Sequence, residues 1–355
     1  MLNKYSWLIA LTVLLCSQSI SAQVIGGRNT YDFLDLPYSA RISALGGSLI
    51  TVQDEDLTLA YQNPAALNAR MHNHFTVQQT IYFSGITNGY AAYARHFEKI
   101  PLTVHAGINY ITYGKFARTT PSGEVTGEFG ASEYAIGGGV GYQATERLSF
   151  GSNLKVILSY LEGYNSVGWS SDWAAMYNDT SKNITVSFVL KNAGSQFSSY
   201  GKNKQLYALP FDAQIGFAHR LKYLPLRFSV IGHQLHRWNI LYDDPALEET
   251  GILGSTTPVP DNGKMKAGEV VDNVFRHLIF NLELLLGKKE VLRLRLGYNR
   301  MRQGELGVKG LRSLAGFSTG LGIRIYKFRI DYGLSAYHIG GMMHHFGIST
   351  NLSDF

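Results

Sequence analysis

Two stretches carry the serine–lysine spacing of acyl-transfer enzymes, Ser152-Asn153-Leu154-Lys155 and Ser199-Tyr200-Gly201-Lys202. That chemistry needs a basic group beside the serine hydroxyl to take its proton. A helix would provide this, because positions three apart share one of its faces. Residues 146–160 alternate with period two instead, so Ser152 and Lys155 point to opposite faces of a strand. The Ser-Asp-Asn and Lys-Thr-Gly elements that support such a serine do not occur in the chain. Histidines fare no better as metal ligands. His344 and His345 are adjacent and His233 and His236 are three apart, so each pair splits across a strand. His72 and His74 share a face but have no third ligand nearby, and a structural zinc site takes four. These residues predict no catalytic centre, no metal and no cofactor.

The remaining chemistry is charge on strands. Alternation is plain in residues 278–286, where Leu278, Phe280, Leu282, Leu284 and Leu286 oppose Ile279, Asn281 and Glu283. In 291–298, Leu292, Leu294, Leu296 and Tyr298 oppose Arg293, Arg295 and Gly297. Glu283 is therefore expected to meet Arg293 or Arg295 across a turn at 287–290, and Asp331 to meet Arg324 or its neighbour across a turn near 326–327. Arg220 and Arg227 should face each other across the turn 221–224, an unfavourable like pair that calls for a nearby anion. Either the N-terminal segment, wall carboxylates or water can supply it.

The elements that place these charges repeat along most of the chain. About fourteen alternating segments of roughly nine to fifteen residues follow Phe75. Soluble strands are usually about 5–6 residues long, whereas a tilted strand crossing a bilayer needs about 9–11. Short connections (98–100, 144–147, 178–183, 221–224, 287–290) alternate with longer ones (114–130, 161–169, 192–209, 238–275, 302–313), with short exceptions at 84–88 and 339–341. Tight turns on one rim and long loops on the other mark an outer-membrane barrel. In lipid a sheet must close on itself, because no water is there to pair an open edge. The expected fold is all-β, a 14-stranded antiparallel transmembrane β-barrel over 73–355.

Composition agrees. Charged residues make up 16% of the chain, against about a quarter in ordinary soluble domains. The net charge of +6 is spread out rather than clustered, which excludes a nucleic-acid footprint. Residues 1–22 read as a signal peptide, with Lys4, an apolar core and Ile20-Ser21-Ala22 before Gln23. The only cysteine, Cys16, falls inside it, so no disulfide is expected. An exported outer-membrane protein of a Gram-negative cell follows from these features.

Residues 23–72 do not alternate. They contain Gly46-Gly47, the acidic run Asp54-Glu55-Asp56 and the turn Asn63-Pro64-Ala65. A segment this apolar and this broken needs a surface to dock on, and a barrel of fourteen strands would otherwise enclose a wide channel. It is expected to be a hatch, or plug, inserted in the barrel lumen. The positions Phe33, Leu34, Leu36, Pro37, Ser39, Ala40, Arg41, Ala44, Leu45, Gly46 and Gly47, then Asn63, Pro64 and Ala65, resemble the PorQ–PorV group of FadL-like barrels of the type IX secretion system. The likeness covers the whole chain in length and layout, and its specific motifs lie in 31–67.

That resemblance implies a non-catalytic part in a cell-surface attachment complex. There the barrel would anchor PorZ-, PorU- and PorV-like partners that process cargo and attach it to lipopolysaccharide. On this reading the long loop at 238–275, with Asp243, Asp244, Glu248 and Glu249, faces outward to bind a partner. The competing class is a FadL-like transporter of small hydrophobic molecules, which would want an apolar lumen rather than one lined with Arg293, Arg295, Arg324, Glu283 and Asp331.

Overall fold

A computed structural model describes residues 29–201, 205–241, 267–306, 314–338 and 341–355. The predicted leader, Lys202 and the acidic residues Asp243, Asp244, Glu248 and Glu249 lie outside the described residues.

Fourteen strands form one closed antiparallel barrel, each pairing with its neighbours in sequence and the first with the last. They are β1 (His74–Ile81), β2 (Thr87–Phe97), β3 (Leu102–Thr119), β4 (Val125–Gln143), β5 (Leu148–Leu161), β6 (Tyr164–Asp179) and β7 (Ile184–Gln196). The second half comprises β8 (Asp212–Arg220), β9 (Leu226–Gly232), β10 (Leu278–Leu286), β11 (Leu292–Asn299), β12 (Phe317–Ile325), β13 (Phe328–His338) and β14 (Gly341–Asn351). Closure between β1 and β14 runs in register from His74 opposite Asn351 to Ile81 opposite His344, so no edge strand is left with free backbone groups.

The two faces separate as the alternation requires. Leu294 and Leu296 are 40% and 57% exposed, while the alternating Arg293 and Arg295 are 2% and 1%. Leucine, valine and aromatic side chains thus form the outer belt and polar ones point inward, the reverse of a water-soluble barrel. Tyr110, Tyr134 and Tyr160 run side by side across β3, β4 and β5, with ring centroids 6.5 and 6.3 Å apart, as part of an interfacial aromatic band.

The wall is uneven in height. β3 and β4 extend to 18 and 19 residues, and β6 begins at Tyr164. The connections expected as loops at 114–130 and 161–169 are therefore largely paired strand. Residues 115–128 of this ribbon are exposed on both faces save for one half-buried position, so they carry no apolar–polar contrast and no period-two signal. Phe116 stacks on Phe129 at 5.4 Å, and Lys115 pairs with Glu128 at 3.2 Å across it. On the far side β9 has only seven residues. After the N-terminal helices α1 (Ala40–Ala44) and α2 (Leu59–Gln62), two further helices lie outside the alternating pattern, α3 (Ala267–Arg276) and α4 (Arg300–Leu306). Deleting 119–125 at the ribbon tip should leave the heat-modifiable gel mobility of the folded barrel unchanged. A loss of that mobility shift would mean the ribbon takes part in closing the barrel.

Candidate functional site

The N-terminal segment lies inside the barrel, and its local structure is built jointly with the wall. It starts with a 3-10 turn at Asp32–Asp35, continues through α1 (Ala40–Ala44) and α2 (Leu59–Gln62), and ends in 3-10 turns at Pro64–Ala66 and Ala69–Met71. None of these is long enough to stand alone in water. Helix α1 ends on Gly46 and Gly47, with φ of 70° and 95°, and Gly47 N–H donates to Ile42 O at 3.0 Å. This is the longer of the two bonds of a glycine helix cap. The free N–H of Gly46 donates to Ser318 Oγ of β12 at 2.9 Å, so the wall completes the helix end. Gly297 on β11 lets this cap approach, since a Cβ there would sit 2.2 Å from Gly46 N.

The Asn63-Pro64-Ala65 turn is seated in the same manner. Asn63 is extended, as a residue before proline prefers. Its Oδ1 accepts from Ala65 N at 3.0 Å and its Nδ2 donates to Ile50 O at 2.6 Å. Ser149 Oγ of β5 donates to Ala65 O at 2.7 Å. A Cβ at Gly151 would lie 2.2 Å from the Pro64 carbonyl carbon, so only glycine admits the turn. Around these polar contacts Tyr38, Ile42, Leu45, Leu49, Ile50, Leu57 and Leu59 are buried with the wall residues Tyr90, Met176, Val189 and Ile231. Each fully buried aliphatic side chain contributes about 1.5–3 kcal/mol.

At the centre is Arg41, 1% exposed. Its Nη2 lies 2.8 Å from Asp54 Oδ2, its Nη1 3.0 Å from Asp56 Oδ2 and its Nε 3.0 Å from Glu283 Oε1 on β10. Glu283 also meets Arg227 at 2.5 Å and Arg295 at 3.2 Å, and Arg295 meets Asp331 at 2.6 Å. Asp54 reaches Arg293 at 3.4 Å and Arg227 at 3.9 Å. Burial alone would lift the Asp54 carboxyl, but Arg41, Arg293 and Arg227 outweigh it and hold it well below the usual carboxylate range.

The sequence-predicted charges thus converge, with one changed partnership. Glu283 stands opposite Arg295, and Arg220 opposite Arg227. Wall carboxylates hold most of this like pair, Glu290 on Arg220 at 2.8 Å and Glu283 on Arg227, with Asp54 of the N-terminal segment at the edge. Asp331 does not face Arg324; it stands opposite Gly322 and reaches past it to Arg295. Arg324 instead faces Arg329, a second like pair. Glu55 bridges it, touching Arg324 and lying 2.7 Å from Arg329. The turn closes at 326–327 as expected, but a two-residue turn there sets Arg324 opposite Arg329, so Asp331 falls two positions further along β13 than the expected pairing needs.

Sequence reasoning missed two further contacts. His345 ring nitrogens bond Ser43 at 2.6 Å and Thr80 at 2.8 Å, tying α1 to β1 and β14. Lys155 is buried against Asp172 at 2.7 Å and lies 4.4 Å over the Tyr61 ring. The inward position of Lys155 was legible, but its partner on β6 was not. Ser152 faces outward and Lys155 inward, and this separation rules out a serine–lysine pair at that position.

Removing one partner of a buried pair costs about 3–5 kcal/mol. Arg41→Met should destabilise the seated segment by that order in urea titrations in detergent micelles, with Tyr38–Tyr61–Tyr90 fluorescence as readout; an unchanged midpoint would remove Arg41 from the centre of the network. The folded Asp54 value lies below its unfolded one, so its stabilisation is complete above about pH 4 and is lost as pH falls through the depressed value. Hydrogen exchange of residues 40–62 should accordingly stay slow from pH 7 to about 5 and quicken in stronger acid, after correction for intrinsic rates. Gly151→Val should expose the Asn63-Pro64 turn to protease while the barrel persists; full protection would mean that the turn docks elsewhere.

No protein-family model matches the sequence, and no curated protein matches it. Solved structures do share the fold. The Pseudomonas putida toluene transporter TodX aligns with a TM-score of 0.53 at 12% identity, over 92% of this chain and 98% of that one. A TodX monoaromatic hydrocarbon channel variant, described as the deltaS2S3 mutant, aligns at 0.51 and 12%, over 89% and 99%. A Pseudomonas aeruginosa FadL homologue aligns at 0.48 and 8%, over 88% and 98%. At such identity the TodX matches speak for fold alone: this chain has the closed 14-stranded outer-membrane barrel of those transport proteins.

Proposed function

We propose that the protein is a sealed outer-membrane barrel that works at its outer rim as an anchor for partner proteins, and that residues 23–72 are its hatch. The observation that carries this reading is the seating of Arg41, Asp54 and Glu55 in the lumen network, which joins the hatch to β10, β11, β12 and β13 through buried and half-buried ion pairs. Opening such a plug would strip carboxylates from at least three wall arginines at once, each left costly in a low-dielectric bore. A barrel stoppered in this way is suited to holding proteins at the surface. The resemblance of 31–67 to the PorQ–PorV group supplies the partner class: PorZ-, PorU- and PorV-like proteins of a type IX attachment complex that delivers cargo to lipopolysaccharide.

Transport of small hydrophobic molecules is the second reading, and the fold likeness to the TodX channels favours it over the first. Two measurements separate them. Gram-negative cells displaying the barrel should take up labelled toluene no faster than cells without it, and mild-detergent purification should recover surface proteins whose yield falls when 246–268 is deleted. Faster uptake with no co-purifying protein would overturn the anchor and establish the channel.

A further inference from the structure

The outer wall has one interruption in its lipid-facing belt. β9 ends early at Gly232, and the segment 233–241 together with α3 closes over the gap at the rim remote from the 221–224 turn. Beneath this shelf lies a groove of about 450 Å³ lined by Ile215, Phe217, Val230, Leu235, Trp238 and Val274. Ile215 and Phe217 are outward residues of β8, 49% and 41% exposed, so the groove opens toward the bilayer rather than the lumen. On α3, Val271, Val274 and Phe275 are all exposed, and their spacing of three and four makes one apolar stripe along the helix. Such a helix lies in a membrane interface with that stripe in the acyl region.

One cation stands at the groove. Arg276 and Arg300 nearby both pair with Asp272, at 2.9 and 2.6 Å. Arg237 lines the groove itself and, among the described residues, has no carboxylate partner. An apolar slot with a guanidinium at its lining fits a lipid acyl chain in the slot and an anionic headgroup at its mouth. We propose that this groove is a binding site for an anionic lipid of the outer leaflet, its acyl chain between β8 and α3 and its headgroup on Arg237. The site is independent of which reading of the lumen is correct.

Trp238 reports on the groove directly. A variant with Trp7, Trp169 and Trp173 replaced by phenylalanine leaves it as the sole indole. The protein is then reconstituted in vesicles of phosphatidylcholine containing an equal fraction of either brominated phosphatidylglycerol or brominated phosphatidylcholine. The anionic lipid should quench Trp238 with an apparent affinity at least about threefold higher, near 0.7 kcal/mol. Arg237→Gln should abolish that preference while quenching by both lipids persists. Gly232→Phe should remove the excess quenching by filling the slot. A Cβ at Gly232 meets Ile215 and Leu235 at 3.4 and 3.5 Å, ordinary contact, and an unchanged heat-modifiable gel mobility checks that the barrel still folds with the larger side chain. Equal quenching by both lipids, insensitive to Gly232→Phe, would mean non-specific boundary lipid and would overturn the proposal. Absence of quenching by either lipid would mean that protein covers the groove, and would overturn it as well.

Discussion

A guanidinium withdrawn from water must be surrounded by carboxylates, and Arg41 is surrounded by three. Everything that fills the barrel is arranged around that requirement. Two of the carboxylates, Asp54 and Asp56, come from the same N-terminal segment, and Asp56 is fixed further by accepting from Thr58 N at 3.0 Å. The third, Glu283, belongs to the wall. The segment therefore folds on itself and docks on the barrel through one shared charge centre. Well-packed apolar residues could fill the same space at similar or lower cost, so what the ion pairs contribute is a defined position of the N-terminal segment, in which Arg41 meets three carboxylates at once.

Lipid imposes the complementary constraint from outside. With no water to pair backbone groups, the sheet closes, and closure of fourteen strands leaves a bore too wide for wall side chains to fill by themselves. Two solutions are visible in the same molecule. Across most of the lumen the N-terminal segment supplies the missing volume, and glycines at 151 and 297 let its backbone approach the wall. At β9 the wall is shortened and covered from outside by α3. The first sets the N-terminal segment against the inner wall, and the second leaves an apolar groove lined by exposed residues of β8.

Like-charge pairs show how the two layers depend on each other. Arg324 opposite Arg329 would repel within a bare barrel, yet Glu55 of the hatch joins them. In this region the like-charged wall pair is answered by a carboxylate of the N-terminal segment rather than by the wall. The Arg220–Arg227 pair differs, because Glu290 and Glu283 of the wall answer it locally.

The strand-by-strand barrel, its lipid-facing belt and the inward placement of Arg293, Arg295 and Glu283 were legible in the sequence, because period-two alternation across a two-sided wall is a local property. The turn of Asn63-Pro64-Ala65 was legible because proline restricts its own backbone and that of the residue before it, whereas Gly46-Gly47 signalled a tight backbone approach and not the helix cap it forms. Three things were decided only by tertiary structure. The β3–β4 ribbon leaves the membrane and loses its alternation, so pairing alone extends it. Asp331 meets Arg295 rather than Arg324, because it stands opposite Gly322, which has no side chain to block its reach to the next strand. Arg41 gathers carboxylates from positions 13, 15 and 242 residues away, and no periodicity reaches that far; it takes the closed bore, bringing distant chain into one water-poor space, to make them partners.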